Sequence, residues 1–333
     1  METAEQGSSL SVETIDFPEL DLLWNQYRHI WNWDNPFVTP PWLKSWWRVF
    51  GETSELLLLL IACGGRPIGV APLMLAGDTG RIIGSADLCD TGDVIVEAQE
   101  EQPFFSGLFK FLESRRISRL VFGSVRPDSA VRRFAAAAHQ PSSWRSSSRV
   151  VGYSIEMALP VGWPEYFAGL SSKQRHEVRR KLRRLSEAGE IVVGDCDAGE
   201  MESAMNRFID LFRRSRKDKA AFMNDARERF FRELAVELAA SGMLRLQEMT
   251  INGVTAAMVF CVQHEQSLYL YNNAYRPEYR SLSIGLMSKV LSIQTAIEAE
   301  LAIYDFLGGT ERYKHQLGGR EVRLYSCTFT YTR

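Results

Sequence analysis

Apolar and polar positions along this chain fall into two rhythms, a helical period near 3.6 and short unbroken apolar runs of strand length. In 18–30, Leu20, Leu23, Trp24 and Tyr27 recur at helical spacing. Thr39 ahead of Pro40-Pro41 predicts an N-cap with proline in the first turn, and a helix that runs through Val49 and stops at Gly51. The apolar runs 56–63 and 67–75 flank Gly64-Gly65, a hairpin pattern. Short strands near 81–83, 93–96 and 119–122, helices over 104–114 and 128–137, and a strand around 150–158 complete the first half. Residues up to Val12 read as a flexible tail, and the serine-rich stretch 140–148 as the least ordered interior segment.

The second half is clearer. The pattern predicts helices over 172–188, 200–214 and 225–240, closed by Gly189 and Gly242, with a strand at 190–194. Three apolar runs, 243–251, 254–263 and 267–274, then form a meander joined by Asn252-Gly253 and by 264–266; Asn-Gly between strand-like runs is a strong hairpin signal. A helix over 283–300, a strand at 302–306, a short helix near 311–316 and a strand at 322–330 follow. The expected fold class is mixed α/β. Both halves follow a similar order of elements without a residue-level repeat, and 333 residues suit about two domains.

Composition narrows the classes. Lys plus Arg number 39 against 41 Asp plus Glu, so the net charge of −2 excludes a nucleic-acid binder that relies on overall basicity. The longest apolar run is too short to span a bilayer, and the acidic, polar start does not resemble a signal peptide. Five scattered cysteines without CxxC spacing read as free thiols in a reducing, cytoplasmic setting, and no metal site is expected.

Three clusters carry candidate chemistry. In Asn272-Asn273-Ala274-Tyr275-Arg276-Pro277-Glu278-Tyr279-Arg280-Ser281-Leu282-Ser283-Ile284-Gly285, a strand leads through a loop into a helix start. Unpaired backbone N–H groups and the positive helix end there form a phosphate cradle, with Arg280 as a cation, Ser283 as a cap and Gly285 allowing close approach. The alternative is a plain cap beside a surface arginine. In Tyr304-Asp305-Phe306-Leu307-Gly308-Gly309-Thr310-Glu311-Arg312-Tyr313-Lys314, Asp305 at a strand end can accept a proton and Tyr313 can donate one, or Asp305 caps a turn and Tyr313 packs in the core. In 171–185, Arg175, Arg179 and Arg183 form a stripe beside Lys173, either a solvated face or an anion site. Trp42, Trp46 and Trp47 share one helix; packing is their expected role, with an apolar or sugar groove as the alternative.

Phe37-Val-Thr-Pro-Pro-Trp42-Leu-Lys-Ser-Trp46-Trp47, Ile68-Gly-Val-Ala-Pro-Leu73, Ser171-Ser-Lys-Gln-Arg175, Tyr269-Leu-Tyr-Asn-Asn-Ala and Tyr304-Asp-Phe-Leu-Gly-Gly-Thr-Glu-Arg-Tyr-Lys together resemble the CelD/BcsL-type acyltransferases of the GNAT superfamily. That family is similar to the FemABX transferases, which carry two GNAT-like domains in tandem. The resemblance spans nearly the whole chain. It implies a degenerate acceptor-side domain over 13–160, with Trp46 as a ligand contact, and an acyl-CoA-binding domain over 161–333. The pyrophosphate loop R/Q-x-x-G-x-G/A corresponds to Arg280-x-x-Ser283-x-Gly285, with Ser283 in place of the first glycine. Acyl-CoA is then held by Tyr271, Asn272, Asn273, Arg280, Ser281, Ser283, Ile284 and Gly285, and the strand backbone at 271–273 polarises the thioester. Asp305 is the implied base and Tyr313 the implied acid. Lys173, Arg175, Arg179 and Lys314 are the acceptor contacts. The implied activity is N-acyl transfer to an amine of cell-envelope, polysaccharide or lipid metabolism: an amino sugar, an amino acid or a sphingoid base. Peripheral association with a membrane-bound envelope-synthesis complex is compatible with that role, and no nucleic-acid partner is expected. Alternatives are a FemABX-like aminoacyl-tRNA-dependent transferase and a non-catalytic binding subunit.

Overall fold

The computed structural model describes residues 9–137 and 141–332. Within them the chain divides into two compact units, the first running to Gly152 and taking back the chain from Arg323, the second spanning Tyr153–Val322. The division expected at 160/161 differs from this because one long strand runs through 152/153 and the terminal strand belongs mostly to the first unit.

In the first unit the elements are β1 (Leu10–Ile15), α1 (Phe17–Tyr27), α2 (Pro40–Phe50), β2 (Glu55–Cys63), β3 (Arg66–Ala76), β4 (Thr79–Ile82), β5 (Ile95–Val96), α3 (Glu101–Ser114), β6 (Arg119–Val125), α4 (Ala130–Ala136) and the start of β7 (Trp144–Ala158). Gly64 and Gly65 both take positive φ, as the tight β2–β3 hairpin needs. β1 pairs with β2 from Leu10 onward, so the expected tail overlaps a strand there; residues 1–8 lie outside the described ones. Thr39 precedes α2 without capping it, because its hydroxyl donates to the Pro36 carbonyl. The segment expected to be least ordered is strand from Trp144, whose indole is buried and donates to Glu113; Gln140 lies outside the described residues. Phe105, Phe109 and Phe134 pack with Phe329 as the aromatic centre of this core.

The second unit continues with α5 (Trp163–Gly169), α6 (Ser172–Ser186), β8 (Ile191–Asp195), α7 (Met201–Ser215), α8 (Lys217–Phe222), α9 (Asp225–Ala240), β9 (Leu244–Ile251), β10 (Val254–His264), β11 (Ser267–Tyr275), α10 (Ile284–Glu298), β12 (Ile303–Gly308), α11 (Arg312–Gln316) and β13 (Arg320–Tyr331). Its strand order is β7-β12-β11-β10-β9-β8. Asn252 and Gly253, at φ 50° and 75°, close the β9–β10 hairpin expected from Asn-Gly. A Ser171–Gln174 capping box starts α6, and Val178 and Leu185 are buried from it. Alternation along β10 sets the layers. Val259 and Cys261 join the cluster of Met287, Val290 and Ile293 from α10, whereas Phe260 meets Phe208 of α7 and Phe231 of α9. The sheet is thus covered on both faces, and the fold is the mixed α/β class expected. The short helices α5 and α8 were not anticipated, since one turn or two gives little periodicity to read.

Phe231 stacks on Tyr271 at 5.4 Å and touches Phe208, Phe212 and Phe260, tying β11 to the helical layer. Phe231→Ala should lower the unfolding free energy in urea by about 3–5 kcal/mol, the usual range for emptying a buried phenylalanine site. A loss within the error of the wild-type value would show that this contact does not hold the layer.

Candidate functional site

The second unit's parallel strands β11 and β12 pair only at Ser267–Ile303, Leu268–Tyr304 and Tyr269–Asp305. Beyond Tyr269 they part, although β11 continues to Tyr275 and β12 to Gly308. A bulge sits on each strand just past the last pair. On β11, Tyr271 is the extra residue between Leu270 and Asn272 opposite β10. On β12, the register with β7 shifts between Asp305 and Gly308, and Leu307 takes φ 60°, a left-handed conformation costly for a branched side chain. Asp305, 3% exposed, pins that turn: its Oδ1 accepts the Leu307 N–H at 2.7 Å and the Ser154 hydroxyl at 3.0 Å. Bulges increase local twist, so one on each side turns the two strands apart into a wedge.

The wedge edge of β11 is mostly sealed. Arg276 donates its N–H to Ala256 of β10 at 2.9 Å, and alternation therefore turns the Tyr275 and Asn273 backbone groups toward the wedge. Ser215 at the end of α7 accepts the Tyr275 N–H at 2.7 Å and lies 3.0 Å from its carbonyl. Lys219 of α8 donates to the Asn273 carbonyl and, at 3.3 Å, to Asn273 Oδ1. The Asn273 N–H meets no acceptor among the described residues. Such a fixed N–H at a strand edge is what a polarised carbonyl or an oxyanion requires. Of the three residues expected to share this role, Asn272 directs its backbone to β10 and Tyr271 lays its ring on Phe231.

Between β11 and α10, Pro277–Leu282 form a 3₁₀ helix with Arg280 and Ser281 exposed. Ser283 stands at φ 55° and makes no side-chain cap; instead its carbonyl accepts the N–H groups of Leu286 and Met287. A capping serine needs extended backbone at this position, and Ser283 is left-handed instead, so the expected cap does not form. Ile284 and Gly285 lie ahead of any intrahelical acceptor, at the positive helix end. A Cβ on Gly285 would come within 2.7 Å of the Tyr275 ring. Close packing of this aromatic ring, rather than ligand approach, is what the position visibly requires.

Cations crowd the far side of the wedge. Lys289 of α10 is 9% exposed; its Nζ donates to the Gly285 carbonyl at 2.7 Å and sits 4.7 Å over the Tyr313 ring. Burial, reinforced by the nearby Lys219, brings its ammonium down to about 7. Burial and Arg216 bring Lys219 down to about 8. Burial raises the Tyr313 phenol well above its ordinary value, so it stays protonated and able to donate. Lys314 is buried among the carbonyls of Leu307, Gly308 and Gly309 and pairs with Glu311 at 3.1 Å, which ties down the exit from β12. Beside this, a cleft of about 170 Å³ runs between α6, α10 and α11, lined by Lys173, Lys181, Leu286, Arg312 and Gln316. Arg179 does not line it; its guanidinium lies 5.2 Å over the Phe167 ring, and Arg175 is half-buried on the same helix. Trp46 belongs to the first unit, buried there with its indole N–H on Ser85 at 3.3 Å.

Sequence reasoning missed Ser215, Lys219 and Lys289. A signal existed for one of them. The run Ile284–Glu298 is apolar nearly all round, and a helix of that kind is buried, so its single lysine must be buried as well.

Residues 172–315 match the family model described as an acetyltransferase (GNAT) domain. No curated protein matches the chain. Among solved structures, FemX superposes with a TM-score of 0.65 at 10% identity, covering 95% of this chain and 96% of its own. A conserved protein of unknown function from Bacteroides thetaiotaomicron gives 0.61 at 11% identity, covering 97% and 100%. The C-terminal domain of a putative lysylphosphatidylglycerol synthetase from Agrobacterium fabrum gives 0.56 at 10%, covering 86% of each. These likenesses establish a shared fold, and the family match supports a transferase.

The left-handed Ser283 occupies the place of a glycine in the loop pattern. Ser283→Gly should raise stability by about 0.5–1 kcal/mol, the left-handed penalty less glycine's entropy, in denaturant unfolding. A fall in stability would show that the serine side chain holds the turn.

Proposed function

We propose that the chain is an acyl-CoA-dependent N-acyltransferase whose thioester lies along β11 in the wedge. The observation that carries this is the parting of β11 from β12, which leaves the Asn273 N–H facing the gap within the segment that matches the GNAT domain. The donor's phosphates are assigned to the start of α10, with Arg280 nearby, and to the cleft with Lys173 and Arg312. An attacking amine, which gives up its proton to solvent water, forms the C–N bond at the carbonyl that Asn273 polarises; the C–S bond breaks, and Tyr313 is the donor assigned to the leaving thiolate, regaining its proton from water. Asp305 receives a different role from the base implied by the resemblance. Its Oδ1 is committed to Leu307 and Ser154, so we assign it the positioning of the bulge that opens the wedge. The acceptor is an amine of envelope, polysaccharide or lipid metabolism.

The aminoacyl-tRNA donor implied by the FemABX resemblance is the second reading, favoured by the superposition on FemX along nearly the whole chain. Calorimetry with acetyl-CoA and palmitoyl-CoA, followed by thiol release on adding amino sugars, amino acids or sphingoid bases, separates the two. Saturable binding with amine-dependent release is expected. Arg280→Ala should weaken binding about tenfold, as loss of a charge-assisted phosphate contact does. Absence of acyl-CoA binding beside a mobility shift with aminoacyl-tRNA would replace this donor with the second.

Asp305→Asn keeps an Oδ1 acceptor for Leu307 and Ser154. It should therefore retain turnover within about tenfold of wild type, whereas removing a general base costs about a hundredfold or more. A loss of that larger size, with unchanged acyl-CoA affinity, would return Asp305 to the role of base.

A further inference from the structure

The cations lining the wedge exceed the anions that could balance them. Around Lys289 stand Lys219 and Arg216 from the α8 side, Lys314, Glu311 and Tyr313 from the α11 side, and Cys261 on β10. Each carboxylate in this neighbourhood is already engaged. Glu311 pairs with Lys314 at 3.1 Å, and Asp218 pairs with Arg216 at 2.8 Å. The hydrogen bonds of Lys219 and Lys289 go to neutral groups, the carbonyls of Asn273 and Gly285 and the Asn273 amide, beside two aromatic faces, while Asp218 and Glu311 act on them without a direct ion pair among the described residues. Among the described residues Lys289 makes one hydrogen bond, although an ammonium has three protons to donate. A buried charge held only by neutral groups is destabilising unless an opposite charge arrives or the proton leaves. The Asn273 side chain bridges the two lysines, accepting from Lys219 and donating to the Gly285 carbonyl that Lys289 also contacts, at 3.3 Å in both bonds. Both ammonium groups are thus tied to Asn273, Lys219 directly and Lys289 through the Gly285 carbonyl.

From this geometry we propose that Lys219 and Lys289 form an anion subsite in the wedge, which takes a carboxylate or phosphate group carried by one of the transfer substrates. The proposal rests on the acyltransferase reading for the identity of the site, but its test is independent of the donor. The two anion chemistries point to different sources. A carboxylate identifies an acidic acceptor such as an amino acid, and a phosphate identifies a phosphorylated substrate.

Binding would return both lysines to the charged state, so protons are taken up. The sign follows from the depressed values. Between about 7 and 10.5 the unfolded chain holds more protons than the folded one, so stability rises with pH through that window, and a bound anion offsets the cost on its acid side.

Titration of the full chain at pH 8 with sodium succinate and with sodium phosphate, each in two buffers of different ionisation enthalpy, tests this. The expected result is saturable binding of one anion with uptake of roughly one to one and a half protons per anion, most of it by Lys289. Binding should weaken at least about tenfold in Lys289→Met and in Lys219→Met, the loss of a charge-assisted contact. Lys289→Met should also melt higher than wild type, since it removes a buried charge. Where a variant fails to fold, the wild-type proton uptake still decides. Absence of saturable binding by both anions, binding without proton uptake, or equal binding in folded variants would overturn the subsite. A parallel titration with acetyl-CoA reads the donor separately. Anion binding without acyl-CoA binding keeps the subsite and removes the donor, and the reverse removes the subsite alone.

Discussion

The separation of two hydrogen-bonded strands is the constraint on which the second unit's site depends. Parallel strands β11 and β12 could have paired along their shared length, satisfying every backbone group between them. Instead pairing stops at Tyr269–Asp305, because Tyr271 and Leu307 each interrupt their strand two residues later. The left-handed Leu307 is strained, and the Asp305 carboxylate together with Ser154 holds it in place. Everything chemically distinctive follows from that opening: a strand-edge N–H at Asn273, a helix start at Ile284, and a half-buried Lys219 and a buried Lys289 with no direct ion pair among the described residues.

What surrounds the wedge shows that its openness is selective. The Tyr275 groups are closed off by Ser215, and the Asn273 carbonyl by Lys219, so among the described residues 273–275 the edge offers one donor rather than a row of them. A fully exposed strand edge would invite pairing with other chains. Lys314, bound by three carbonyls and Glu311, fixes the chain leaving β12. That many committed contacts make Lys314 a brace for the β12 exit rather than a mobile surface cation.

Much of the architecture was legible in the sequence, for reasons tied to particular residues. Gly64-Gly65 and Asn252-Gly253 marked hairpins because their backbones must take positive φ. The helices α6 and α9 and the meander β9–β11 followed from period and length. The site was legible only in part. Asp305, Tyr313 and the 280–285 loop stood out as residue types at an element boundary, yet their roles depend on bulges that leave no mark in an apolar pattern. Ser283 looked like a cap because serine is a good one, and its left-handed backbone redirected it. Lys219 escaped notice on a helix too short to show a period, while Lys289 was legible only by asking what a lone lysine does on a helix apolar nearly all round.

In the function proposed for this chain, Asn273 offers its N–H to the carbonyl of a thioester lying in the wedge. Amide resonances of the isotope-labelled chain, followed during titration with acetyl-CoA, test it most directly. The Asn273 amide proton should shift downfield as it gains a hydrogen bond, together with the amides of Ile284 and Gly285 at the helix start. Saturation of binding with Asn273 unmoved and the largest shifts outside β11 and α10 would contradict it.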